Sequence, residues 1–223
     1  PSTTHLSSAD TVALFKRYVV PNYTRYPVSM VRGEGSLIWD AEGNRYLDFF
    51  PGWGCNLLGH CPPKVVQAVQ DQVASLIHVP NTWYTEAQGR WAEMLSERSF
   101  GGQAFFCNSG AEANEGLYKL ARKFGHDEGR YEILTAVNSF HGRTLAGIAA
   151  TGQDKVKKGF EPMMTGFRHV PYNDLQAMRD AISPTTVAIL IEGIQGEGGI
   201  APASAEYLLG LRQLCDEKKL LLM

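Results

Sequence analysis

Residues 103–124 read QAFFCNSGAEANEGLYKLARKF, and the pattern changes character part-way along. QAFFCN is short and apolar and is followed by a polar turn, which predicts a strand; Ala111 to Phe124 carries helical periodicity. The same alternation continues downstream. YEILTAV (131–137) and TTVAILIE (185–192) predict strands, Ala205 to Lys218 a helix, and LLLM (220–223) the opening of a further strand. Strands alternating with helices at this spacing give an α/β fold with a mostly parallel sheet and helices on both faces. Ligands of such sheets gather at the carboxyl ends of the strands, where loops lead into helices. LLLM has the composition of a buried strand, so the sequence is expected to come from a longer polypeptide.

Upstream the elements are shorter. Ser8 to about Val19 predicts a helix, with Val12, Phe15 and Val19 near one face. VSMVRGEGSLIWDAEGNRYLDFF (28–50) predicts a small antiparallel sheet with turns at 33–35 and 40–44. After Pro62-Pro63, VVQAVQDQVASL predicts a helix, the prolines being tolerated at its start, and Thr85 to Arg98 predicts another.

The bulk numbers exclude several classes. A net charge of −2 offers no basic footprint for nucleic acid or an anionic membrane surface. No apolar run approaches the roughly 20 residues that span a bilayer. PSTTHLSSAD lacks the charged and apolar regions of a secretory signal. Cys55, Cys61, Cys107 and Cys215 match no zinc spacing and read as reduced thiols of a cytoplasmic protein, with no metal expected.

Three stretches carry candidate chemistry, each beside a plainer alternative. In Cys107-Asn108-Ser109-Gly110-Ala111-Glu112, a small-residue turn opens a helix. Its unpaired N–H groups and the helix dipole suit an anion such as phosphate. Equally, Ser109 and Glu112 have the spacing of a capping box, and the two readings are compatible. In Asn138-Ser139-Phe140-His141-Gly142-Arg143-Thr144, Phe140 could stack on a planar ring and Arg143 could grip a carboxylate. The alternative is a surface loop with a core phenylalanine and a solvated arginine. His141 has no carboxylate neighbour in sequence that would make it a general base. In Glu192-Gly193-Ile194-Gln195-Gly196-Glu197, two carboxylates in a glycine-rich loop could bind a cation, hold an arginine or move a proton; the glycines alone could simply serve a tight turn.

Taken in order, FFCNSGAEANEGLYKLAR, SFHGRTLAGIAATGQ and IEGIQGEGGI resemble three successive signatures of the class III aminotransferases, and most of all the acetylornithine branch. VRGEGSLIWDAEGNRYLDF, NLLGH, PNTWYTEAQG and FEPMMTGFRHVPYND fall in the same order, so the likeness runs from about Asn22 to Met223. It implies the fold-type I architecture of pyridoxal-phosphate enzymes, with residues 1–60 the N-terminal part of a small α+β domain and 61–223 an incomplete cofactor-binding large domain. It implies pyridoxal 5'-phosphate as cofactor, a homodimer with shared sites, and transfer of the terminal amine of N-acetylornithine to 2-oxoglutarate in arginine biosynthesis. Relatives acting on ornithine, 4-aminobutyrate or succinylornithine share the pattern; so would a catalytically incomplete fragment. Carried across, Ser109, Gly110 and Ala111 cradle the phosphate, Phe140 stacks on the ring, and Arg143 binds the substrate carboxylate. Glu197 is the gating glutamate, Glu192 its nearby support, and Trp53 and Tyr84 line the substrate pocket. Two positions depart from the pattern: Gly193 stands where proline is usual, and Trp53 replaces a smaller or phenolic residue. The lysines at 16, 64, 119, 123, 155, 157, 158, 218 and 219 all lie outside the family's lysine motif. The Schiff-base lysine is therefore expected beyond Met223.

Overall fold

The computed structural model describes residues 5–50 and 52–223, which fall into one unit ending at Glu86 and a second, Ala87–Met223. The first unit opens with α1 (Ser8–Tyr18), capped by the Ser7 hydroxyl, which accepts from the Asp10 N–H at 3.1 Å. Strands β1 (Met30–Glu34), β2 (Leu37–Asp40) and β3 (Arg45–Leu47) form an antiparallel meander. Its second turn is organised by the Asp40 carboxylate, which accepts from the N–H groups of Glu42 and Asn44 and from the Tyr46 hydroxyl. This is the Asx geometry that makes aspartate a turn residue. Helix α2 (Pro63–Ser75) follows, with proline in its first turn as expected.

The second unit is the layered part. Helix α3 (Glu86–Glu97) begins at the division, and α4 (Gly110–Gly125) follows. Next come β4 (Glu132–Ala136), α5 (Leu145–Ala150), β5 (Phe167–Val170), α6 (Leu175–Ala181) and β6 (Thr186–Ile189). A two-stranded ribbon of β7 (Ile194–Gln195) and β8 (Ala201–Pro202) leads to α7 (Ala205–Lys218) and β9 (Leu221–Leu222). The main sheet has the order β5-β4-β6-β9, and every pairing is parallel. Adjacent residues of β4 show why both faces are covered. Ile133 packs with Tyr118 and Ala121 of α4 and with Ala146 and Ala150 of α5. Leu134 points the other way, into Met178 of α6 and Tyr207, Leu211 and Leu214 of α7. That is the period-2 alternation of a strand buried on both sides.

One sequence expectation fails. QAFFCN forms no ladder among the described residues: 103–107 are extended without assigned structure, and Phe105 is 74% exposed. Apolar composition gives a segment the propensity for a strand, but a strand exists only with a hydrogen-bonded neighbour, and the sheet's edges are β5 and β9. Among the described residues no helix is long and apolar enough to cross a membrane, and no cluster of His, Cys, Asp and Glu is placed to hold a metal. All four cysteines are free thiols.

Candidate active site

Strands β4 and β6 are parallel neighbours, so the loops leaving their carboxyl ends emerge side by side. These are the loops at 137–144 and 190–199. They are tied directly: the Phe140 N–H donates to Glu192 Oε2 at 3.1 Å, and Gln195 Nε2 donates to the Val137 carbonyl at 2.9 Å. Gly198 makes their approach possible, since a Cβ there would lie 2.6 Å from the Asn138 carbonyl oxygen. Glycine is needed for contact rather than for turning.

The start of α4 meets the first of these loops. Gly142, at φ +110°, packs on Ala111, whose Cβ would be 3.2 Å from any Cβ at 142. In the first turn of α4 the Ser109 hydroxyl accepts from the Glu112 N–H at 3.2 Å, and the Glu112 carboxylate accepts from the Asn108 N–H at 2.6 Å. A reciprocal cap is therefore present. It uses neither the Gly110 nor the Ala111 N–H. No hydrogen bond among the described residues takes these two donors, and the space a Cβ would occupy at Gly110 is open. An anion there would meet two N–H groups and the positive end of a 16-residue helix. This cradle fits a phosphate group, and half-buried Phe140 at the adjacent strand end fits a planar ring.

The three motifs thus converge at one end of the sheet. Arg143 lies exposed on the strap between β4 and α5, and Glu197 is exposed on the glycine-rich loop. Glu192 is half-buried. Burial pushes its carboxyl above the usual range, the N–H groups of Phe140 and Gly196 oppose this, and nearby Glu197 adds to it. Its carboxylate is aimed at backbone donors of both loops. Trp53 and Tyr84 belong to the first unit, where both are exposed; Trp53 has a left-handed backbone and an edge-on contact with Phe50, 5.0 Å between centroids.

His141 is buried, and its Nε2 has no hydrogen-bond partner among the described residues. Burial, then the charge it would share with His169, pushes its pKa down to about 4, so the ring is neutral at pH 7. Sequence reasoning missed the residues that grip this strap: Asn114, Glu115 and Tyr118 on α4, and Thr151 after α5. The spacing of 114 and 118 is the one available signal, since i and i+4 share a helix face.

The class-III aminotransferase model matches residues 18–223. The chain belongs to the class-III aminotransferase family. It is 51% identical over 209 residues to the acetylornithine aminotransferase of Caldanaerobacter subterraneus subsp. tengcongensis, covering 92% of this chain and 53% of that protein. With the acetylornithine aminotransferase of Myxococcus xanthus it shares 50% over 229 residues, covering 100% and 57%. This class-III chain also superposes on the ornithine aminotransferase of Toxoplasma gondii ME49 with a TM-score of 0.90 at 29% identity, covering 98% of this chain and 53% of that one. The chain therefore spans about half the length of the relatives it matches. The α/β fold with its parallel sheet is that of solved aminotransferases.

Proposed function

We propose that the full-length protein is a pyridoxal-phosphate-dependent aminotransferase that moves the terminal amino group of N-acetylornithine to 2-oxoglutarate, in arginine biosynthesis. In this reading it acts as a cytoplasmic homodimer, with residues 1–60 in a small domain and 61–223 in the cofactor-binding domain. The convergence of the α4 N-terminus with the loops after β4 and β6 carries the proposal. The identity of about half to acetylornithine aminotransferases supports the choice of donor.

Each residue then has a physical task. The Gly110 and Ala111 N–H groups, with Ser109 beside them, hold the phosphate dianion. The Phe140 ring covers one face of the pyridine. Bound pyridoxal phosphate supplies the electron sink for breaking bonds at the amine-bearing carbon. Arg143 takes the donor's carboxylate with its planar fork, which leaves the far amine free to reach the reacting centre. Glu197 gates a second cationic group between half-reactions. Glu192 fastens the ring-bearing and glycine-rich loops together, while Trp53 and Tyr84 shape the substrate pocket.

Steady-state kinetics of the full-length protein with N-acetylornithine, ornithine, 4-aminobutyrate and succinylornithine tests the donor, and N-acetylornithine should lead. Hydrogen bonds to charged groups contribute about 1.5–3 kcal/mol, so Arg143→Ala should lower kcat/KM for the donor roughly ten- to a hundred-fold. Arg143→Lys should recover only part, because it keeps the charge and loses the fork. An alanine variant as active as the parent would remove Arg143 from the site.

A further inference from the structure

The strap carrying Phe140 and Arg143 is held at its centre by side chains rather than by a ladder. Asn114 Nδ2 donates to the His141 carbonyl oxygen at 3.0 Å, and the buried Tyr118 hydroxyl approaches the same oxygen at 3.4 Å. Both lone pairs of that carbonyl are therefore occupied by residues one turn apart on α4. On the other side of the residue, the His141 N–H donates to Thr151 Oγ1 at 2.9 Å. Farther along, the Thr144 hydroxyl donates to Glu115 and accepts from the Gly147 N–H, capping α5. The peptide groups on both sides of His141 are thus fixed from outside the strap. Their orientation decides where Phe140, one residue before, and Arg143, two residues after, are aimed.

We propose that Asn114, assisted by Tyr118, is a positioning residue that sets Arg143 for the donor's carboxylate, so that one helix fixes both the phosphate cradle at its start and the carboxylate partner beside it. This rests on the assignment of Arg143 made under Proposed function. When the Asn114 amide is removed the Tyr118 hydroxyl still donates to the His141 carbonyl, so that oxygen keeps one partner and folding loses little while the strap loses its second tether.

The test uses full-length holoenzyme with pyridoxal phosphate in excess. Asn114→Asp keeps the shape and replaces a donor with an acceptor facing a carbonyl. KM for N-acetylornithine should rise roughly tenfold, with kcat changed far less. Calorimetry with N-acetylnorvaline, which has the carboxylate and acetamido group but no terminal amine, should show the same loss of affinity. The melting temperature should stay within about 2 °C of the parent. In an Arg143→Ala background Asn114→Asp should cause no further loss, because residues acting through one another are not additive. If Asn114→Asp does not fold, Asn114→Ala carries the same test, and Tyr118→Phe should show a smaller effect of the same kind. Unchanged KM and affinity, a fall in melting temperature with KM unchanged, or a loss that persists undiminished without Arg143 would each overturn the proposal. If Arg143→Ala weakens binding and Asn114→Asp does not, this inference alone falls. If Arg143→Ala binds N-acetylnorvaline normally, the carboxylate assignment falls with it.

Discussion

Among the described residues, the side chains buried in the unit ending at Glu86 are Ser8 and Asp40, both polar, whereas the unit Ala87–Met223 buries Ile133, Leu134, Met178, Ile189, Leu211 and Leu214. The first unit is organised by point contacts: Ser8 to Glu42, Asp40 to its turn, and His60 to Asp48 at 2.7 Å. The second is organised by two apolar layers on a parallel sheet. The difference bears on function, because a site whose groups must hold a fixed geometry needs rigid elements beneath it. All three convergent loops spring from the apolar-layered unit.

The largest effect that separates the units should come from truncating a core leucine. Leu134→Ala removes a fully buried side chain between α6 and α7 and should cost about 3 kcal/mol in urea unfolding. Leu47→Ala in exposed β3 should cost less than about 0.5 kcal/mol. Equal losses would break the comparison.

The next effect is in acid and belongs to the second unit. The unfolded chain protonates His141 near pH 6.5, while the native state resists until about pH 4. Native stability should therefore fall as pH drops from about 6.5 to about 4, by roughly 3 kcal/mol from this group. His169, also lowered by burial, acts in the same sense; the raised Glu192 carboxyl acts oppositely. His141→Gln should flatten the acid limb, measured as unfolding free energy at several pH values. An identical slope in variant and parent would contradict the burial argument.

The smallest effect is local. Asp40→Ala should raise amide hydrogen exchange at Glu42 and Asn44 and leave β4 and β6 protected. Loss of protection across both units would mean that they are one cooperative structure.

Much of this organisation was legible beforehand. The helices over 8–18, 63–75, 86–97, 110–125 and 205–218 and the meander with its Asp40 turn follow from periodicity, caps and turn residues. The loops at 137–144 and 190–199 were legible as connections because each follows an apolar run that forms a strand, β4 and β6. QAFFCN has the composition of a strand without forming one, because pairing is not encoded in the segment that pairs. Strand β5 and helices α5 and α6 are short, four to seven residues, and too brief for periodicity to register. The grip of Asn114 and Tyr118 on His141 spans 27 and 23 residues and links a helix face to a backbone carbonyl, a contact that no local pattern announces. In the sequence His141 stands as a lone histidine, whereas folding buries it beside His169.

The most direct measurement of the central claim, that the start of α4 holds the cofactor phosphate, is the pyridoxal phosphate content of full-length Gly110→Asp. A side chain at 110 enters open space, so the substitution is not excluded by packing, and its effect on an anion is electrostatic. Gly110→Asn, of the same shape without the charge, separates bulk from repulsion. The aspartate variant should purify without cofactor and fail to take it up on titration, while the asparagine variant retains a measurable share. Normal cofactor content in Gly110→Asp would contradict the account.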